Sequence, residues 1–281
     1  MLTEIAIADA YGAGFEFCSQ DKIISQNKLE LYSKHELYDI LGKYTDDTQM
    51  SIAIVEFILS GQEWTKENIA SKFIECFKRD VRLGYSEGFF NLLSKVESSK
   101  ELLELIIPTS ERNGAAMRSV PIGFLKNKED VVALAKLQAQ ITHDSPIGIQ
   151  SSCAVALAAH FGTYQKGSIK DLERFLKSEQ YGNWDYNWKD RVSLNAYDTV
   201  SAALTCLLQH SCLSELLKSC INLGGDTDSV AAIAVGLATC FIEYKKDLPI
   251  QLYNNLNEDK YGIPFLLDLE SKFLKKCNLD N

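Results

Sequence analysis

No uninterrupted apolar run in these 281 residues approaches the ~20 that a membrane-spanning helix needs, so a membrane protein is not expected. Proline is scarce, at five residues, and no Pro/Gly/Ser-rich tract, charge block or repeat marks a boundary. One domain over residues 1–281 is therefore expected, long enough to bury a sizeable core. Clustered basic residues are missing too. The net charge is −9 and the Lys and Arg are dispersed, which excludes a phosphate-backbone partner. An anionic small substrate stays open, because bound cations can dominate a local field. There is no CxxC pair, and the four histidines (35, 143, 160, 210) fall in no zinc spacing. No basic residue precedes Lys22 and no secretory apolar region opens the chain. Eight cysteines, most of them in apolar helical stretches, then read as free thiols in a reducing cytoplasm. Alternating strand patterns are almost absent. With caps recurring along the chain, the expected fold class is all-α, with roughly ten or more helices.

What is present centres on Gly224-Gly225-Asp226-Thr227-Asp228-Ser229, followed at once by the apolar run Val230 to Val235. The glycines permit a tight turn, and the Asp/Thr/Ser cluster can cap a helix. Acidic caps are common, because they suit orphan amides and the helix dipole. A second cluster far away, Thr45-Asp46-Asp47-Thr48, opens another apolar run from Met50 to Leu59, with Gly61 placed as its C′ residue. That run is apolar on nearly every side and should be buried, so its paired aspartates need a counter-charge. Carboxylates and hydroxyls without Cys or His company select hard ions, chiefly Mg²⁺ or Mn²⁺. Their number exceeds what one Mg²⁺ takes and suits two ions bridged by a shared Asp. Isoprenoid synthases, which are also all-α and bind Mg²⁺ through helical aspartates, would need an Asp where this chain has Met50.

The remaining candidates are individually weaker. The opening stretch Leu2 to Phe17 reads as a helix of small and apolar residues carrying Asp9. Glu16, between Phe15 and Phe17, is either a loop carboxylate anchored by its neighbours or a proton-transfer group raised by apolar surroundings. Thr65 starts a helix with Ile69, Phe73 and Phe77 as its core stripe. Arg82 to Gly88 is a glycine-punctuated turn, and Asn113-Gly114 is a turn signal followed by small residues. Thr142-His143 lies in a corner where a lone His is more often structural than catalytic. Ser168 and Asp171 form a capping-box start, and residues 181–194 read as an aromatic surface excursion. Asp198-Thr199, Ser214 and Pro264 each open a further helix.

Thr45-Asp46-Asp47-Thr48, Asn113 to Arg118, Thr142-His143 and Gly224 to Ser229 together resemble, in order and spacing, the ADP-ribosylglycohydrolases. Asp9-Ala10-Tyr11-Gly12 with Glu16 resembles that family's N-terminal motif. The resemblance runs from about residue 5 to about residue 240. It implies a compact all-α fold around a binuclear Mg²⁺ or Mn²⁺ site and hydrolysis of the bond joining ADP-ribose to a protein side chain, arginine first. It assigns metal binding to Thr45, Asp46, Asp47, Asp226, Asp228 and Ser229, and catalysis to Glu16, Asp47 and Asp226. Gly84, Tyr85, Ser110, Asn113, Gly114 and His143 would line the substrate path. The partner would be an ADP-ribosylated protein or an ADP-ribose derivative, met by a monomer. A non-catalytic ADP-ribose-binding or crystallin-like member, or a hydrolase of a small ADP-ribose derivative, are the alternatives. Ser229 stands where the family has Thr, and Ala8 where it has Gly. Arg82-Leu83-Gly84-Tyr85 replaces the Asp-Ile-Gly-type segment of arginine-acting relatives.

Overall fold

The computed structural model describes residues 1–279 and contains fifteen α-helices among them, with two 3₁₀ turns and no strand longer than an isolated bridge. The first five helices are α1 (Leu2–Ala13), α2 (Gln20–Gln26), α3 (Asp46–Ser60), α4 (Lys66–Arg79) and α5 (Glu87–Lys95). Next come α6 (Ser99–Leu105), α7 (Gly114–Met117), α8 (Lys128–Thr142), α9 (Pro146–Thr163) and α10 (Leu172–Glu179). The chain closes with α11 (Ala196–Gln209), α12 (Leu213–Leu223), α13 (Thr227–Ala238), α14 (Ile250–Asn254) and α15 (Ile263–Lys276). The all-α expectation holds.

Small residues decide which helices meet most closely. α1 and α13 are rich in alanine and both are buried along nearly their whole length. A Cβ on Gly12 would lie 2.5 Å from the Cα of Asp228, and one on Gly236 would lie 2.9 Å from Ile5. The absent side chains therefore allow two backbones to touch at the first turn of α13, which carries Asp228. α3 joins this centre, apolar on nearly every side as its sequence requires. Its Thr45 hydroxyl accepts from the Asp47 amide, and Gly61 closes it in the left-handed region at φ +66°. Only the Lys276 ammonium lies near an added Cβ at Gly61, at 3.8 Å. Gly61→Ala is thus expected to cost about 1 kcal/mol through backbone strain alone. A thermal melt should show a drop of about 2–4 °C.

Several boundaries differ from the sequence reading for local reasons. α1 stops at Ala13, and residues 14–17 turn away from it. α11 begins at Ala196 rather than Asp198, because the Asn195 side chain caps the Tyr197 amide at 2.8 Å. α14 falls where no helix was expected. Residues 181–194 are not simply a surface excursion. Trp184 and Val192 are buried, and the backbone of Val192 donates to Gly224 O and accepts from Asp226 N, both at 3.1 Å. Gly225, at φ +86°, lies so close under that strap that a Cβ would stand 1.9 Å from Val192 O. The aromatic segment thereby fixes the turn that carries the second aspartate cluster.

Candidate metal centre and active site

Asp226 occupies the N-cap position of α13 but makes no capping bond there. Its carboxylate is turned to Asn113, whose Nδ2 donates to it and also to Thr199 Oγ1 at 2.9 Å. One turn on, Ser229 Oγ donates to Asp47 Oδ2 at 3.2 Å. That contact joins the starts of α3 and α13, so the two remote oxygen-rich stretches are one site. Glu16, Asp226 and Asp228 each offer a carboxylate oxygen within 4.8 Å of the others.

Asp9 holds the other half from behind. From the middle of α1 its buried carboxylate accepts from the amide and hydroxyl of Thr45 and from the amide and hydroxyl of Thr48, at 2.5–3.0 Å. The first turn of α3 is therefore capped from outside, which leaves Asp46 and Asp47 to face the cavity. Thr45 sits behind this wall and is not among the residues lining the cavity. Its hydroxyl donates to Asp9 and accepts from the Asp47 amide at 3.4 Å.

The cluster carries no counter-charge of its own. No Lys, Arg or His pairs with Asp9, Asp46, Asp47, Asp226 or Asp228 among the described residues. Burial pushes the carboxyls of Asp46, Asp47 and Asp228 well above the usual range, and the neighbouring carboxylates push the same way. Burial likewise raises Asp9 and Asp226 to about 6, against the hydrogen bonds they accept. Asp47 Oδ1 and Asp228 Oδ1 are buried with no hydrogen-bond partner. Buried oxygens of this kind are ordinarily satisfied. An all-oxygen donor set with two orphaned acceptors and no counter-charge fits a hard dication.

The cavity over this floor encloses about 660 Å³. Gly84 forms part of its wall at φ +110°. A Cβ there would lie 2.3 Å from Asp46 Oδ1, so only glycine lets the backbone pass this carboxylate. Tyr85 lines the cavity with its ring, while its hydroxyl donates to Gln49 Oε1 at 2.7 Å. His143 is set by a relay. Arg118 Nη2 donates to Thr142 Oγ1 at 2.8 Å, and the same hydroxyl is hydrogen-bonded to His143 Nδ1 at 2.6 Å. Its Nε2 lies beside Gly114, where a Cβ would stand 3.1 Å away. Burial, with Arg118 and Arg112 nearby, lowers His143 to about 3, so the ring is neutral at pH 7 and offers a hydrogen-bond donor. Ser110 also lines the cavity, and its carbonyl is held by Ser145 Oγ at 2.8 Å.

Residues 5–279 match the family model of the ADP-ribosylglycohydrolases. The chain belongs to the ADP-ribosylglycohydrolase family. It is 27% identical to ADP-ribosylhydrolase ARH3 of Xenopus tropicalis over 84% of each chain, and 25% identical to that of Homo sapiens over 70% of each. It is 25% identical to the ADP-ribosyl-[dinitrogen reductase] glycohydrolase of Rhodospirillum rubrum, over 83% of this chain and 81% of that one. A solved structure described as an ADP-ribosylglycohydrolase-related protein complex superposes with a TM-score of 0.75 at 19% identity. It covers 99% of this chain and 95% of its own, so the fold is shared.

Of the site residues expected from the sequence, this glycohydrolase gathers all but Thr45 on one cavity wall or floor. Three further residues belong to the same constellation. Asp9 had a signal, since a carboxylate in an otherwise apolar helix needs partners. Arg118 is 1% exposed, lies 4.7 Å over the Phe73 ring and lines the cavity. Burial lowers it to about 9, against the pull of Tyr85 and Asp46. His35 bonds to Glu16 and comes from an irregular stretch with no pattern that could have indicated it. Glu16 lies in the cavity, half-buried, rather than on an exposed loop. Phe15 is buried, Phe17 is 43% exposed, and the carboxylate is aimed into the cluster rather than to solvent.

Proposed function

We propose that this glycohydrolase hydrolyses the bond between the anomeric carbon of a terminal ADP-ribose and its acceptor, with two Mg²⁺ or Mn²⁺ ions as cofactors. The reading is carried by the Ser229–Asp47 contact, which makes one carboxylate floor out of two remote stretches and leaves two buried oxygens unpartnered. Asp46, Asp47, Asp226, Asp228 and Ser229 would hold the ions, and Thr45, turned to Asp9, would brace the start of α3 behind them. Bound there, the ions would neutralise the carboxylates, grip vicinal ribose hydroxyls and make a water more acidic.

The chain's own residues supply the rest. Asn113 holds Asp226, and Asp9 holds the first turn of α3, so the floor is preorganised before substrate arrives. His143 presents Nε2–H to an oxygen of the ribose or diphosphate. Gly84 and Gly114 keep the approach open. Glu16 accepts one proton of the attacking water, the remaining hydroxyl adds to the anomeric carbon as the bond to the acceptor breaks, and Glu16 returns that proton to the departing acceptor.

Arginine is the first acceptor to test. Arg82, which replaces the acidic residue of arginine-acting relatives, is turned inward to Asp80 and Glu258 and offers no group to an acceptor. The Rhodospirillum relative's name specifies a protein-linked substrate, which favours modified protein over a small conjugate. The deciding experiment measures release of ADP-ribose from arginine-, serine- and glutamate-linked conjugates in Mg²⁺ and in chelator. Release from at least one conjugate, abolished by chelator, is expected. Chelator-insensitive release would overturn the metal assignment. Thermal stabilisation by ADP-ribose without release from any conjugate would mark a binding protein instead.

A further inference from the structure

We infer that His35 is a positioning residue for Glu16, one that holds this glutamate as a hydrogen-bond-accepting carboxylate at the reaction centre and ties it to the cavity rim. The inference rests on the functional reading above and adds to it a residue outside the metal floor.

The ring's hydrogen-bond pattern decides its tautomer. His35 Nδ1 accepts two backbone N–H groups, from Leu37 at 2.9 Å and from Tyr38 at 3.1 Å. A nitrogen that accepts carries no hydrogen, so the ring proton of the neutral imidazole is on Nε2. Nε2 lies 2.9 Å from Glu16 Oε2 and donates to it. The ring has no remaining capacity to accept from the glutamate, so Oε2 of Glu16 is fixed as the acceptor in this bond and the orientation of the carboxyl group is set by it. Among the described residues no donor reaches Glu16 Oε1, which leaves that oxygen for the reacting groups.

The support is rigid on both sides. His35 is 4% exposed, its amide donates to Ile40 O at 2.9 Å, and its ring packs against that of Tyr38, tilted by 41° at 4.8 Å between centroids. Gly14, two residues before Glu16, lets the Ser33 carbonyl approach so closely that a Cβ would lie 2.3 Å from it. Phe17, one residue after, donates its amide to Gly225 O at 2.8 Å. The Glu16 backbone is therefore pinned to the second aspartate cluster, and its side chain to the segment around His35. That segment presents Leu37 and Tyr38, 77% and 47% exposed, on the rim of the cavity. Rim and carboxylate are joined through one imidazole, so an acceptor displacing Leu37 or Tyr38 also displaces Glu16.

The test compares His35→Phe, which keeps the ring and loses the donor, with His35→Gln, whose amide can donate to Glu16 and whose oxygen can accept from the backbone. His35→Phe is expected to lower kcat roughly 10- to 100-fold, the range for residues that orient a site group. KM and the Kd for ADP-ribose should stay within about 3-fold. His35→Gln should recover most of the loss, and Glu16→Gln/His35→Phe should be no slower than Glu16→Gln alone. Equal impairment of the Phe and Gln variants, additive losses in the double variant, or a defect confined to KM would each overturn the inference. A readout independent of turnover is the ¹⁵N spectrum of the histidine rings in chelated wild type and Glu16→Ala at pH 8. His35 should show the Nε2–H tautomer, and its Nε2 resonance should move on loss of Glu16. A proton on Nδ1, or an unmoved resonance, overturns the inference even if no variant at His35 folds. Failure of wild type to release ADP-ribose from any conjugate would instead sink the functional reading, while the spectrum still decides the His35–Glu16 bond.

Discussion

Asp228→Asn is expected to lower kcat/KM on the order of 10³-fold while leaving the fold intact. The substitution changes one charge and almost no volume, at a residue whose backbone is wedged against Gly12 and whose Oδ1 is buried without a partner. An amide can occupy that space but cannot give a dication the same charge, and its NH₂ group donates where an acceptor is needed. The loss should have two parts that separate in measurement. Wild type should gain about 2.7 kcal/mol of stability when Mg²⁺ reaches 100 times its Kd, seen as an upward shift in melting temperature. The variant should show little of that shift at the same concentration, and its activity should recover only in part at much higher Mg²⁺. Retention of the full thermal shift together with kcat/KM within tenfold of wild type would show that Asp228 is not a ligand. The control is Asp39→Asn, an exposed carboxylate on the rim segment beside Lys34, which should leave the Mg²⁺ shift untouched.

Much of this site could be read from residue order because its logic is local. Thr45 and Thr65 cap their helices as their positions in sequence imply, Ser168 and Asp171 form their capping box, and Gly61 takes the left-handed conformation that ends α3. The apolar runs after Asp47 and Ser229 announce buried helices, and a buried helix that starts with carboxylates implies an ion. What could not be read is what long-range packing alone decides. Asp226 looks like a cap in sequence, but Asn113, 113 positions away, recruits its carboxylate. Val192 sits in a stretch of mixed polarity, and its value to the fold lies in its backbone groups, which any residue possesses. Thr45 shares its cluster with two aspartates but is turned to Asp9 by a helix that precedes it by 36 positions. Arg118 and Gln138 are polar residues on helical stretches and would ordinarily be assigned to solvent. Each satisfies the other inside the core, and that pairing has no signature in spacing.

Stripped of metal, the wild-type protein should become less stable as pH rises from about 4 to about 7, through the very groups that metal would neutralise. Asp226 is raised by burial from 3.8 to about 6 in the folded protein. A carboxyl that holds its proton more tightly when folded contributes fully below the unfolded value. That contribution is lost as pH rises through the folded one. The difference between about 6 and 3.8, roughly two units, corresponds to about 3 kcal/mol for this one group. Other carboxylates titrate in the same range, so the informative quantity is the difference between chelated wild type and chelated Asp226→Asn. The asparagine can still accept from Asn113 but has no proton to lose. The variant should melt near wild type at pH 4 and then pull ahead, by about 6 °C or more at pH 7. Saturating Mg²⁺ should reverse the order at pH 7, lifting wild type above the variant. It should do little at pH 4, where protons already occupy the oxygens that the ion needs. Parallel curves for the two chelated proteins across this window would mean that Asp226 bears no burial penalty. The electrostatic case for a dication between α3 and α13 would then lose its foundation.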